Sequence, residues 1–211
     1  MLDISVHIIS EFINWIAILG LAVFALSGAV YAAEKEMDIL GFILIGTVTA
    51  IGGGTMRDLL LDVPVFWIQQ PFYIYICLLS SVFAYFAASQ IRLRRRWMLW
   101  LDAAGLSAFA VIGTQVSLSH EVPFVIAIVT GVISATFGGV IRDVLCAETL
   151  TLTQPEIYVT CAVLGATLYA LLDWLGININ IAVGLAFTAC FMLRMAAILF
   201  SLQLPKYSSK K

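Results

Sequence analysis

Long apolar stretches separated by short polar interruptions make up almost the whole chain: 12–33, 39–61, 71–90, 97–116, 122–146, 154–175 and 179–200. Each approaches the roughly 20 residues that a helix needs to cross a hydrocarbon core of about 30 Å. The pattern predicts an all-α polytopic membrane protein with seven transmembrane helices, forming one membrane domain over residues 1–211. Composition agrees, since 62% of residues are hydrophobic, only 11% are charged, and the mean hydropathy is +1.04. A water-soluble globule of this size could not hide so much apolar surface. The first stretch is long enough to stay as a span, and no basic run of a cleavable leader precedes it.

Within this apolar pattern one charged phrase occurs twice. Gly52-Gly53-Gly54-Thr55-Met56-Arg57-Asp58 returns 85 residues later as Phe137-Gly138-Gly139-Val140-Ile141-Arg142-Asp143. The same offset links Trp15, Gly20, Phe24, Ala25, Gly28 and Gly46 to Trp100, Gly105, Phe109, Ala110, Gly113 and Gly131. Three spans separate the two copies, so the second enters the membrane from the opposite face, as in inverted-topology repeats. The expected organisation is a first repeat at 12–90, a second at 97–175, and an unpaired seventh helix at 179–200. Small residues at helical spacing, such as Gly20 with Gly28 and Gly105 with Gly113, read as surfaces for close helix packing.

Charge placement sets the expected orientation. Lys35, Arg92, Arg94, Arg95, Arg96, Arg142, Arg194, Lys206, Lys210 and Lys211 fall on one side of a seven-span arrangement, and Arg57 falls on the other. Basic residues are retained in the cytoplasm during insertion, so the C-terminus is expected inside and the N-terminus outside. The arginine run reads as a topology determinant rather than a nucleic-acid patch, and no nucleic-acid partner is expected. Glu34, Lys35, Glu36 and Asp38 read as a cytoplasmic turn. Cys77, Cys146, Cys161 and Cys190 are scattered without a Cys-x-x-Cys, and His7 and His120 are isolated, so no metal site or cofactor is expected.

The candidate chemistry lies in the repeated phrase. Consecutive glycines cost a helix about 1 kcal/mol each relative to alanine, so Gly52, Gly53 and Gly54, and Gly138 with Gly139, are expected to kink or open their helices. Carbonyls released there cannot be solvated by lipid and must face protein or water. Their natural guest is a desolvated monovalent cation. Neighbouring side chains on a helix point about 100° apart, so Arg57–Asp58 and Arg142–Asp143 are not expected to be simple mutual pairs. The arginines are instead expected to bind freed carbonyls or a carboxylate of the facing repeat, as latches, while Asp58 and Asp143 help attract cations. Asp102 stands where the first repeat has Ala17. It either pairs with Arg94–Arg96 at the membrane interface or serves at a pore mouth or helix contact. Ser27, beside Gly28, could offer a hydroxyl to a pathway.

Read together, Phe-Ala-Leu-Ser-Gly-Ala at 24–29, Gly-Gly-Gly-Thr-x-Arg-Asp at 52–58, Pro-Val-Phe-Trp at 64–67, Asp-Ala-x-Gly-Leu at 102–106 and Gly-Gly-Val-Ile-Arg-Asp-Val-Leu at 138–145 resemble the prokaryotic trimeric intracellular cation (TRIC) channel family. That family is also described as one of bacterial glycine transporters. The resemblance covers roughly residues 12–200. It implies a seven-helix fold in the bacterial inner membrane and a homotrimer in contact with membrane lipid. It also implies one potassium- and sodium-permeable pore per protomer, lined by the second and fifth spans. Pore and gate positions carried over are Gly52, Gly53, Gly54, Thr55, Arg57, Asp58, Gly138, Gly139, Arg142 and Asp143. Phe137 departs from the pattern where a third glycine would stand. Thr114, Gln115 and Val116 occupy positions where a lysine is expected after Gly113, so calcium or voltage dependence does not carry over.

The sequence leaves two functions open. A passive cation channel and a secondary transporter of a small amino acid such as glycine both suit inverted repeats. An enzyme is not expected, because the spans hold no nucleophile, base and orienting group together.

Overall fold

The computed structural model describes residues 2–90, 95–151 and 157–205. Among them are eight helices: α1 (Leu2–Glu34), α2 (Ile39–Leu60), α3 (Phe66–Gln69), α4 (Phe72–Gln90), α5 (Arg95–Ser119), α6 (Phe124–Leu145), α7 (Val159–Trp174) and α8 (Ile179–Phe200). Five segments, Ile13–Glu34, Ile39–Leu60, Trp97–Ser119, Phe124–Leu145 and Ile179–Phe200, are long and apolar enough to cross a membrane. Phe72–Ala88 and Val159–Trp174 are apolar but shorter. The stretch expected over 154–175 becomes helical only at Val159, and residues 152–156 lie outside the described ones. Its 16 residues span about 24 Å at the helical rise, less than a full hydrocarbon core. The single turn of α3 has no signature in the hydrophobic pattern.

The protein is all-helical, and its packing repeats itself. α1 lies against α2, α4 and α5; α5 lies against α6, α7 and α8; α2 and α6 face one another. The first half thus packs α1, α2 and α4 as the second packs α5, α6 and α7, with α8 added beside α5 and α7. Small residues make the close contacts. A Cβ on Gly46 would lie 2.8 Å from the Ala25 carbonyl oxygen, and one on Gly131 would lie 2.9 Å from that of Ala110. These pairs are 85 residues apart on both sides, so α1–α2 and α5–α6 are copies of one contact.

Contacts between the halves are reciprocal. Gly20 lies against Ala108 and Phe109, while Gly105 lies against Phe24. Phe24 and Phe109, counterparts of each other, stack with ring centroids 5.4 Å apart and planes 20° apart. A residue that touches its own counterpart sits beside a two-fold axis. Outward, Leu40, Leu44, Leu79, Phe83, Ile181 and Leu185 are exposed, while alanines such as Ala103, Ala110, Ala135 and Ala162 are buried. Large apolar groups outside and small ones between helices are the distribution that lipid favours.

Side-chain contacts define two ends of the bundle. At one end the Tyr73 hydroxyl donates to Asn14 Oδ1 at 3.1 Å, joining the start of α4 to the start of the apolar part of α1. At the other end Lys35, after α1, meets Glu148, after α6, at 2.6 Å. The turn at that end is capped by Asp38, whose Oδ1 accepts from the Gly41 N–H at 2.8 Å. Arg194 is not a surface charge: it is buried, lies 5.0 Å over the Tyr158 ring, and donates to the Ile157 carbonyl at 2.9 Å.

Candidate functional site

α2 and α6 cross at their glycines, and both helices continue through Gly52–Gly54 and Phe137–Gly139. The expected opening with freed carbonyls is therefore corrected: here the missing side chains bring two backbones together. A Cβ on Gly53 would fall on the Ser134 carbonyl oxygen, and one on Gly138 on that of Thr49. Gly53 and Gly138 are counterparts, as are Thr49 and Ser134, so this contact is also reciprocal. Gly52 faces Ile141 Cδ1, 2.8 Å from where its Cβ would be, and Gly54 faces the Phe66 ring at 2.7 Å. Phe137, the counterpart of Gly52, is half-buried. The Thr55 hydroxyl bonds back to the Ile51 carbonyl at 2.7 Å and accepts the Trp67 indole N–H at 2.9 Å. At the crossing, Ser134 Oγ is enclosed and makes no hydrogen bond among the described residues.

Each Arg-Asp doublet forms a station past the crossing, and each is a mutual pair after all. Arg57 Nε and Nη2 both donate to Asp58 Oδ1, at 2.8 and 2.6 Å. Arg142 Nε and Nη2 donate to Asp143 Oδ1 at 3.0 and 2.9 Å. The 100° separation of neighbouring Cβ atoms fails as a predictor because the long arginine stem folds back across its own helix end. The second carboxylate oxygen ties down the following loop. Asp58 Oδ2 accepts from the Phe66 N–H at 2.9 Å; Asp143 Oδ2 accepts from the N–H and the hydroxyl of Thr151, both at 2.8 Å. Phe66 and Thr151 are again counterparts. Both helices then stop in the same way, with left-handed residues at Asp62 (φ 54°) and Ala147 (φ 52°).

The stations differ in what surrounds the guanidinium. Arg142, 1% exposed, uses Nη1 to donate to Asp102 Oδ1 at 2.8 Å and to Ser27 Oγ at 3.3 Å. Its guanidinium carbon sits 4.3 Å over the Tyr31 ring. Asp102 is thus a helix-contact residue that anchors α5 to α6; its expected pairing with Arg94–Arg96 falls on side chains outside the described ones. Ser27, Asp102, Arg142 and Asp143 are brought together. The sequence pointed to all four; it offered no signal for Tyr31, whose ring completes the cluster.

Arg57, 4% exposed, keeps the pair with Asp58 and lies 6.0 Å from the Phe66 ring, but has no second carboxylate among the described residues. It faces a cavity of about 320 Å³, whose lining includes Asn14, Ala17, Tyr73, Ile112 and Val116. At the 85-residue offset the counterparts of Asp102, Ser27 and Tyr31 are Ala17, Ile112 and Val116, and all three line this cavity.

Comparison with known proteins shows the family. The family model described as glycine transporter matches twice, over residues 14–89 and 99–174, stretches offset by the same 85 residues. The inner membrane protein YadS of Escherichia coli K12, of the UPF0126 group, is 36% identical over 199 residues, covering 93% of this chain and 96% of its own. YvgT of Bacillus subtilis is 36% identical, covering 92% and 95%. Among solved structures, the TRIC trimeric intracellular cation channel orthologue from Rhodobacter sphaeroides superposes with a TM-score of 0.87 at 45% identity, covering 90% of this chain and 98% of its own. A structure solved to explain conductance through TRIC cation channels gives 0.84 at 31% identity, covering 94% and 98%.

Proposed function

Since this chain belongs to the membrane-protein family described as glycine transporter, and has the fold of TRIC cation channels, we propose that it is a monovalent-cation channel. Each protomer of a homotrimer carries its own pore, permeable to potassium and sodium, in a bacterial inner membrane. The seven apolar helices all span, with α1, α2 and α4 inverted relative to α5, α6 and α7. The end bearing Lys35 and Glu148 is cytoplasmic, as is the C-terminus, and the N-terminus lies outside.

The observation that carries this reading is the reciprocal α2–α6 crossing with a buried Arg–Asp station past it on each helix. Charged residues inside an apolar bundle are rare, pair with one another, and mark ion or substrate routes. Ions pass when α2 and α6 tilt about their contact at Gly53 and Gly138, beside which the Ser134 hydroxyl and peptide groups replace water around the ion. Gly52, Gly54, Thr55, Phe137 and Gly139 shape that gate. Arg57 and Arg142 are latches, because each fixes a helix end to the loop beyond it through its aspartate. No Thr-Val-Gly-Tyr-Gly filter is present, so potassium is expected to be preferred over sodium only weakly.

Single-channel recording from the purified protein in planar bilayers tests the reading. Unitary ohmic steps carried by potassium and sodium support it. Glycine uptake is the second reading, favoured by the family's description. Saturable glycine flux without unitary steps would replace the channel with a transporter.

A further inference from the structure

We infer that the cavity beside Arg57 is a binding site for a small carboxylate, which takes the place that Asp102 fills in the second repeat. The pseudo-symmetry of the chain states what this guanidinium accepts. At the Arg142 station, Nη1 holds a carboxylate oxygen of Asp102 at 2.8 Å, with Ser27 and Tyr31 of the other repeat around it. In the first repeat, Nε and Nη2 of Arg57 are spent on Asp58 as their counterparts are on Asp143. Nη1 of Arg57 makes no hydrogen bond among the described residues.

What replaces the missing partners is space. Ala17, Ile112 and Val116 stand in for Asp102, Ser27 and Tyr31, and each borders the same cavity of about 320 Å³. Shortening an aspartate to an alanine at this one position leaves room for a free carboxylate against a guanidinium that is 4% exposed. Bidentate or charge-assisted contacts to a planar guanidinium select carboxylates by geometry as well as charge. The charge balance is one the protein already tolerates, since one arginine between two carboxylates is the arrangement at Arg142. Asn14 and Tyr73, hydrogen-bonded to each other on the cavity wall, offer polar atoms to the rest of the ligand.

The site lies at the end of the bundle marked by Tyr73 and Asn14, away from Lys35 and Glu148. Binding there needs no current, so it stands or falls separately from conduction.

Titration calorimetry on the purified full-length protein in detergent, in chloride buffer, tests the site with acetate, glycine and glycinamide. Saturable heats are expected with acetate or glycine at a dissociation constant of about 1 mM or below; glycinamide, which lacks the carboxylate, is expected to give none. Acetate and glycine together distinguish a bare carboxylate from a zwitterion. Ala17→Asp is expected to rebuild the second-repeat arrangement, keep or raise the melting temperature, and weaken binding by at least about tenfold. Arg57→Gln is expected to abolish it. Absence of saturable binding to the unaltered protein would overturn the inference, independently of how any variant folds. So would equal binding of glycinamide, or undiminished binding to a folded Ala17→Asp protein.

Discussion

Arg142 and Asp102, forty positions apart in sequence, meet at 2.8 Å in the interior and hold α6 to α5. Because Asp143 binds the same guanidinium, the three substitutions at this cluster should separate in cost. Arg142→Gln leaves two buried carboxylates facing each other and should destabilise by about 3–5 kcal/mol. Asp102→Ala strands one N–H of Nη1, which keeps its bond to Ser27, and should cost about 1–3 kcal/mol. Asp102→Asn keeps an acceptor and removes the excess negative charge, so it should be the mildest. Thermal unfolding in detergent gives the order, and an Asp102→Asn protein less stable than Arg142→Gln would contradict it.

The glycines at the crossing should tolerate no side chain. Gly53→Ala or Gly138→Ala places a methyl group on a carbonyl oxygen of the opposite backbone, which has no rotamer to escape into. Such overpacking costs about 1–3 kcal/mol, and it should also alter unitary conductance. Gly184 is the control, since a Cβ there meets nothing within 4 Å. Gly184→Ala should be neutral or stabilising by up to about 1 kcal/mol. Equal melting shifts for Gly53→Ala and Gly184→Ala would remove the crossing from the explanation.

The loop tethers should differ between halves. Thr151 gives Asp143 two hydrogen bonds, while Phe66 gives Asp58 only its N–H. Thr151→Val removes a hydroxyl bond to a charged acceptor and should cost about 1.5–3 kcal/mol. Hydrogen exchange at residues 147–151 should quicken in that variant, with exchange at 62–66 unchanged.

One contact has a defined alkaline limit. The hydrogen bond to Glu148, with its charge, raises the Lys35 pKa above the ordinary 10.5, against a smaller opposing effect of burial. A raised pKa means that the folded protein holds this proton more tightly than the unfolded chain. From neutral pH upward, the contribution is intact below 10.5 and fades as pH rises through the folded value. Melting temperatures of the parent and a Lys35→Met variant should therefore differ at neutral pH and converge in strong alkali. A gap that persists there would point to something other than the ion pair.

Much of the architecture was legible because hydrophobic length and an 85-residue offset are properties of the string itself. Gly20, Phe24, Gly53 and their counterparts marked the repeat, and the reciprocal contacts are made by those same residues. The glycine phrase was legible as a site but not in its form, since a residue without a side chain permits both an opened helix and a close approach. The arginine pairing was misjudged because Cβ direction says little about a flexible side chain. Asp102 was visible as a break in symmetry, yet its partner lies on another helix, and no local pattern encodes which helices touch. Tyr31, Thr151 and the cavity beside Arg57 depend on that same three-dimensional pairing.

Where Gly53 meets Ser134 and Gly138 meets Thr49, peptide rests on peptide with no side-chain padding to compress. Such a joint acts as a fulcrum: α2 and α6 can tilt about it more readily than they can slide. Leverage then couples the two mouths, so that widening at the Lys35 end should narrow the Tyr73 end. Spin labels placed at both ends of this helix pair should report distance changes of opposite sign.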